Sequence, residues 1–332
     1  MVINMAKIVN GKPIPNMPWE NCPQGFEGPI WKYSGNPVIK RNPNKTISRV
    51  FNSALVPFNG EYVGVFRGDG YDDVAHIYVG HSKDGVNIEI EDKRITFVDR
   101  DGNPIKETAY QYDPRLIPLN GKYYVVFCDE MGGPTITIAE TTDFKTFVKL
   151  NTAFLPCNRN GVLFPRKING KYYMLSRPSD NAHTAFGDIF ISESNDLEYW
   201  GNHKRVAFAG CEWWCSTKIG AGPVPIETDE GWLVFIHGVS TTCNGFVYSI
   251  GALILDKDNP WIDKDRCSTY LMTQEESYET TGFVPNVTFP TSCLVDSDTG
   301  RIAIYYGAAD TYTGIAFTTI ERVMDYIKAH KR

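Results

Sequence analysis

The chain of 332 residues carries 33 Lys and Arg against 39 Asp and Glu, a formal net charge of -6, so it lacks the basic footprint that nucleic-acid binding needs. No run approaches the roughly 18 apolar residues of a membrane helix, and Met1 to Asn16, broken by Lys7, Lys12, Pro13 and Pro15, is not a signal peptide. A cytoplasmic protein with no nucleic-acid or membrane partner is expected.

Aromatics make up 13% of the residues and fall in short runs such as Tyr123-Tyr124-Val125-Val126-Phe127, a composition that favours strands. Residues 1–35, rich in Pro and Trp, are expected to wrap the outside or one face as an arm. A turn followed by an apolar or aromatic strand then recurs five times: Asn59-Gly60, Asn120-Gly121, Asn169-Gly170, Glu230-Gly231 and Thr299-Gly300. Asn-Gly between apolar strands is the type I′ hairpin signature, because both central residues take positive φ. A second hairpin follows in three copies, at Val79 to Ile90, Ile138 to Leu150 and Ile189 to Trp200, and more loosely at Ala252 to Trp261. Two hairpins make the four strands of one propeller blade. The expected fold is therefore all-β: a five-bladed β-propeller forming one domain over residues 1–332. A short C-terminal helix is expected over Ile320 to Lys328, where Val323, Met324 and Ile327 fall at helical spacing.

The innermost strand of each blade lines the central channel, so polar residues out of pattern near those strands are site candidates. Asn52 and Asp113 each lie eight residues before their hairpin glycine, Arg67 and Arg177 each seven after theirs, and His237 six after its own. Tyr110-Gln111-Tyr112-Asp113-Pro114-Arg115 offers a carboxylate among aromatics, suited to proton donation. Tyr110, Tyr112, Trp213 and Trp214 are candidates for stacking on a sugar face or for the core. Arg159, Arg177, Lys218 and His237 sit in apolar segments bounded by Gly and Pro; sharing one site, they would hold a small multivalent anion such as phosphate. Gly220 to Gly222 lacks the order of a P-loop, so no nucleotide is implied. The eight cysteines include no CxxC pair and read as reduced, buried thiols; Cys211 and Cys215 lack two further ligands for zinc, and no metal or other cofactor is expected.

At these motifs the sequence resembles glycoside hydrolase family 130, the β-mannoside phosphorylases and related β-mannosidases. The resemblance runs from about Pro18 to Lys328. It is carried by Phe51-Asn52-Ser53-Ala54, Val65-Phe66-Arg67, Tyr112-Asp113-Pro114-Arg115, the run from Asn158 to Gly170, Arg177-Pro178-Ser179-Asp180-Asn181, Lys218 to Pro223, His237-Gly238-Val239 and Tyr305 to Asp310. It implies a five-bladed propeller, with Asp113 as general acid acting through a hydroxyl of the mannosyl unit. Asn52, Ser53, Arg67, Asp69, Tyr112 and Asp310 would hold that unit, and Arg159, Asn160, Arg177, Lys218, His237 and Tyr248 the phosphate. Members that hydrolyse lack much of the cationic set, so its retention implies a phosphorylase. The implied reaction is inverting, reversible phosphorolysis of terminal β-1,4-mannosidic bonds to α-D-mannose 1-phosphate. Its implied partners are β-mannooligosaccharides and, as co-substrate, inorganic phosphate, in a homo-oligomer. The alternatives are a β-1,4-mannosyl-N-acetylglucosamine phosphorylase or a β-mannoside hydrolase. Gln111 departs from the small residue of near relatives, and Cys211 to Cys215 lies in a variable loop, which leaves acceptor choice open.

Overall fold

Side chains on both faces of the first three strands of each repeat are largely apolar, and a sheet built from such strands must be covered twice. The computed structural model, which describes residues 6–9, 11–14, 16–179 and 187–332, solves this with five sheets in a ring. Blade 1 comprises Ile47–Phe58, Glu61–Gly70, Ala75–Ser82 and Ile88–Arg94. Blade 2 comprises Gln111–Leu119, Lys122–Glu130, Pro134–Thr141 and Phe147–Thr152, with Phe97–Val98 added in parallel at its edge. Blade 3 holds Asn158–Leu163, Tyr172–Pro178, Ile189–Ser194 and Gly201–Ala207; blade 4 holds Lys218–Ala221, Gly231–Thr242, Gly245–Leu255 and Asp263–Arg266. Blade 5 is made from Thr288–Val295, Arg301–Ala308, Tyr312–Thr319 and, as its outermost strand, Trp31–Lys32. The chain is a five-bladed β-propeller, as the repeat predicts.

Each of the five apolar clusters among the described residues lies between two neighbouring blades. Val125 and Phe127 pack towards blade 1, whereas Tyr124 and Val126, on the other face of the same strand, pack towards blade 3. The two-residue alternation of a strand thus feeds two interfaces at once. Each fully buried large apolar side chain contributes about 1.5–3 kcal/mol.

The first three hairpin turns are of the expected kind, with φ of 51° and 84° at Asn59-Gly60, 53° and 77° at Asn120-Gly121, and 49° and 80° at Asn169-Gly170. The last two differ. Only the glycine is at positive φ in Glu230-Gly231 and in Thr299-Gly300, and in the fourth an extra strand, Ile226–Thr228, precedes the turn.

Part of the expected N-terminal arm belongs to the ring. Trp31 pairs with Phe317 and Lys32 with Ala316, so the segment completes the last blade and ties the two ends of the chain into one sheet. Lys32 Nζ is 2.7 Å from the fully buried Glu279 Oε2, whose other oxygen accepts from the Tyr306 hydroxyl at 2.8 Å. The C-terminal helix runs over Ile320–Ala329 and buries Val323, Met324 and Ile327 against blades 4 and 5; the Thr319 side chain caps it by accepting from the Arg322 amide. Among the described residues no helix is long and apolar enough to cross a membrane. The cysteines are only partly as expected: Cys128, Cys215 and Cys267 are buried, but Cys157, Cys211 and Cys243 are exposed.

Candidate active site

Three inner strands break their register at the same level of the channel. In blade 1, Phe51 pairs with Arg67 and Ala54 with Val65; in blade 2, Tyr112 pairs with Cys128 and Arg115 with Val126; in blade 3, Arg159 pairs with Arg177 and Val162 with Leu175. Each is a β-bulge with two residues opposite one, a device that re-aims a side chain. The bulged residues Asn52, Asp113 and Asn160 have φ of 49°, 53° and 56°, a left-handed conformation that Asn and Asp tolerate better than most. Repeated bulges therefore turn three polar side chains into one cleft.

That cleft has a volume of about 300 Å³ and is lined by Asn52 and Arg67 of blade 1, Tyr112 and Asp113 of blade 2, Arg159, Asn160 and Arg177 of blade 3, Lys218 and Tyr248 of blade 4, and Val284, Val287, Phe289 and Asp310 at blade 5. Asp113 receives two hydrogen bonds on one oxygen, Oδ1, from Asn52 Nδ2 at 2.9 Å and Arg67 Nη1 at 3.0 Å. Arg67 is itself clamped by Asp69, with Nε 2.9 Å from Oδ1 and Nη2 3.3 Å from Oδ2, and lies over the Phe51 ring at 4.2 Å. Burial pushes the Asp310 carboxyl up to about 6; repulsion from Asp113 and Asp69 adds to this, while Arg67 opposes it.

The walls of blades 3 and 4 are cationic. Arg177 Nη1 donates to His237 Nε2 at 2.8 Å, which requires that nitrogen to be a lone-pair acceptor and the ring to be neutral. Burial, with Arg177, Arg115 and Lys218 nearby, holds His237 well below the usual imidazole range. Burial together with the Arg177 and Arg159 guanidiniums lowers the Lys218 ammonium to about 8. Among the described residues the buried Nε atoms of Arg159 and Arg177 have no partner, so donor capacity is left for a guest. A Cβ on Gly220 would run into the His237 ring, so only glycine lets that strand pass so close.

Ten of the thirteen residues expected from sequence line the cleft; Ser53, Asp69 and His237 stand behind it. Ser53 Oγ turns back to Phe51 O at 3.2 Å, Asp69 holds Arg67, and His237 holds Arg177 and lies 3.3 Å from Asn160 Nδ2. Trp214 is core, under Gly238 and Gly251, while Trp213 is exposed and meets Tyr270 in a T-shaped contact. Asp180 and Asn181 lie outside the described residues.

Two arginines escaped sequence reasoning. Arg115, fully buried, donates to the backbone oxygens of Asp113 at 2.8 Å and Gly222 at 3.1 Å, pinning the bulge of blade 2 to the inner strand of blade 4. Arg49 reaches Asp69 at 3.3 Å and Asp73 at 2.8 Å. A charge on a strand between the apolar Ile47 and Val50-Phe51 was the signal for Arg49; its partners were not legible. A separate depression of about 370 Å³ beside the C-terminal helix shares no residue with the cleft, and its arginines are engaged, Arg301 with Asn21 and Arg322 with the carbonyls of Phe26 and Gly28.

A family model described as beta-1,4-mannooligosaccharide phosphorylase matches residues 10–329. The β-1,4-mannooligosaccharide phosphorylase of Ruminococcus albus is 51% identical over 331 residues, covering 98% of each chain. The 4-O-β-D-mannosyl-D-glucose phosphorylase of Bacteroides fragilis is 28% identical over 321 residues, 90% of this chain and 80% of that one. Among solved structures, the β-1,2-mannobiose phosphorylase of Listeria innocua in complex with β-1,2-mannobiose superimposes with a TM-score of 0.81 at 25% identity, over 90% of this chain and 99% of that one. With a family model matched along nearly its whole length and a relative more than half identical, the chain belongs to glycoside hydrolase family 130.

Proposed function

We infer that this enzyme cleaves terminal β-1,4-mannosidic bonds with inorganic phosphate, inverting the anomeric carbon and releasing α-D-mannose 1-phosphate. The observation that carries this reading is the division of one cleft into a carboxylate-bearing side, Asp113, Asp310 and the Arg67–Asp69 clamp, and a facing cationic side, Arg159, Arg177 and Lys218. An inverting hydrolase needs a second carboxylate as base to activate water opposite the acid. A phosphate held by guanidinium forks and an ammonium is already a nucleophile. One phosphate oxygen forms the new bond to the anomeric carbon as the glycosidic carbon–oxygen bond breaks, and the leaving oxygen takes up the proton that Asp113 supplies, directly or through a substrate hydroxyl. Identity of 51% to the Ruminococcus albus enzyme supports the β-1,4 linkage and the oligosaccharide substrate.

Incubation with β-1,4-mannobiose and with mannosyl-N-acetylglucosamine, each with and without phosphate, tests the reading. Phosphate-dependent release of mannose 1-phosphate from mannobiose is expected; equal cleavage in phosphate-free buffer would make the enzyme a hydrolase.

The Lys218 ammonium gives a pH signature. Only its charged form attracts an anion, and its fall from 10.5 to about 8 brings the loss of that charge into the working range. Expressed as the concentration of phosphate dianion, since phosphate itself ionises in the same range, the phosphate KM should be flat on the acid side of about 8 and rise above it, with kcat at saturating phosphate much less affected. Phosphate titrations at a series of pH values check this, and Lys218→Ala should raise the KM and remove its alkaline rise.

A further inference from the structure

We propose that Phe246 is a positioning residue for the phosphate co-substrate, its ring face holding the Lys218 ammonium at the cleft without neutralising the charge. The proposal rests on the phosphorolytic reading above. Lys218 Nζ lies 5.0 Å from the centroid of the Phe246 ring and 5.3 Å from that of Tyr248. Both are within the roughly 6 Å at which an aromatic face attracts a cation. The two rings come from one strand, Gly245–Leu255, two residues apart and so on the same face of it. Blade 4 overhangs at this point: its inner strand begins at Lys218, opposite Val239, whereas the hairpin behind it runs on through residues 240–247. Phe246 is the one aromatic residue of that overhang. It is 47% exposed and belongs to none of the five apolar clusters, so core packing does not account for it. A lone exposed ring is ordinary, but this one stands against an ammonium. The Thr217 and Thr241 hydroxyls, 2.7 Å apart, tie the overhang to the residue before Lys218.

Arg177 and Arg159 of blade 3 repel the ammonium and Asp310 at blade 5 attracts it, while Tyr248 and the neutral His237 face it from its own blade. Among the described residues Lys218 Nζ makes no hydrogen bond or ion pair. Its stem is walled on the side of blade 3 by Gly187, where a Cβ would come 2.7 Å from Lys218 Cβ and whose carbonyl accepts from the Ile219 amide at 2.8 Å. The head group rests on the two rings. A carboxylate in their place would pair with Lys218 and compete with an incoming phosphate. A ring face attracts the cation and leaves its three N–H donors to the anion.

The test compares the parent enzyme with Phe246→Leu, Phe246→Tyr, Lys218→Ala and Phe246→Leu combined with Lys218→Ala, by steady-state kinetics on β-1,4-mannobiose and phosphate and by calorimetric titration with inorganic phosphate. Leucine covers the ammonium but offers no π face, so Phe246→Leu should raise the phosphate KM and Kd about three- to tenfold, with the mannobiose KM at the parent value. Expressed as phosphate dianion, its alkaline rise in KM should begin at lower pH than the parent's, because loss of the ring disfavours the charged form. Phe246→Tyr should restore both. With Lys218 already alanine, Phe246→Leu should change nothing further, because the ring acts through the ammonium. An unchanged phosphate KM in Phe246→Leu, an equal rise in the mannobiose KM, an alkaline rise moved to higher pH, or a further loss in the combined variant each overturn the proposal. Failure of the phosphorolytic reading is distinguished by the parent enzyme, which would then release no mannose 1-phosphate. Calorimetry with inorganic phosphate still decides the role of Phe246, since the loss in Phe246→Leu must vanish when Lys218 is absent.

Discussion

Replacing Asp113 by asparagine is expected to lower turnover in the cleavage direction about 10²–10⁴-fold, the range typical of general acid catalysis, with the phosphate requirement little changed. The geometry makes asparagine the informative substitution. Both protein donors to Asp113, Asn52 Nδ2 and Arg67 Nη1, use the same oxygen, Oδ1. An amide oxygen in that position can accept from both, so Arg67 keeps its partner and the bulge its shape, while the other arm, an NH2 group, can donate a hydrogen bond but has no acidic proton to transfer. Alanine would instead leave a buried guanidinium without one of its anions, a loss of several kcal/mol that confounds catalysis with stability. Phosphate binding should survive, because the cationic wall belongs to blades 3 and 4 rather than to blade 2. Steady-state kinetics with each substrate varied in turn decide the point: near-normal turnover by Asp113→Asn would remove Asp113 from the role of acid.

The ring was legible because its repeat is local. Asn-Gly turns and aromatic runs write each hairpin into a stretch of a dozen residues, and five copies leave few other ways to cover both faces of every sheet. Trp31–Lys32 was not legible as a strand, since two residues have no periodicity and their partner, Tyr312–Thr319, lies far away in the chain. The site was half legible for the same reason. Equal offsets from the hairpin glycines put Asn52 and Asp113, and Arg67 and Arg177, at equivalent places, and the bulges explain why such positions face one cleft. What offsets cannot carry is which way a side chain turns once the register breaks. Ser53 shares the bulge of Asn52 yet bonds back to its own strand, and His237 serves Arg177 from behind. Arg115 makes its contact between blades, so its significance arises only when the ring closes, whereas Arg49 meets Asp69 and Asp73 within blade 1, a pairing set by a register that the bulge displaces.

Arg177→Ala should raise the phosphate KM about ten- to a hundredfold, equivalent to the roughly 1.5–3 kcal/mol of a buried charge-assisted contact. Arg177 is almost wholly buried, its Nη1 is occupied by His237, and its Nε has no partner among the described residues, so the rest of the fork is what a tetrahedral anion can engage. Lys218→Ala should cost less, because a partly exposed ammonium is screened, and burial together with the neighbouring guanidiniums already lowers it to about 8. Arg177→Lys should recover only part of the loss: a point charge restores attraction but neither the planar fork nor the bond to His237 Nε2 in the same geometry. The mannoside KM should move far less in all three variants, since Asn52, Arg67 and Asp310 belong to blades 1 and 5 and share no hydrogen bond with Arg177. The ordering Arg177→Ala above Arg177→Lys in phosphate KM, at nearly constant mannoside KM, is the expected result. A mannoside KM that rose while the phosphate KM stayed at the parent value would put the sugar, and not the anion, against the walls of blades 3 and 4.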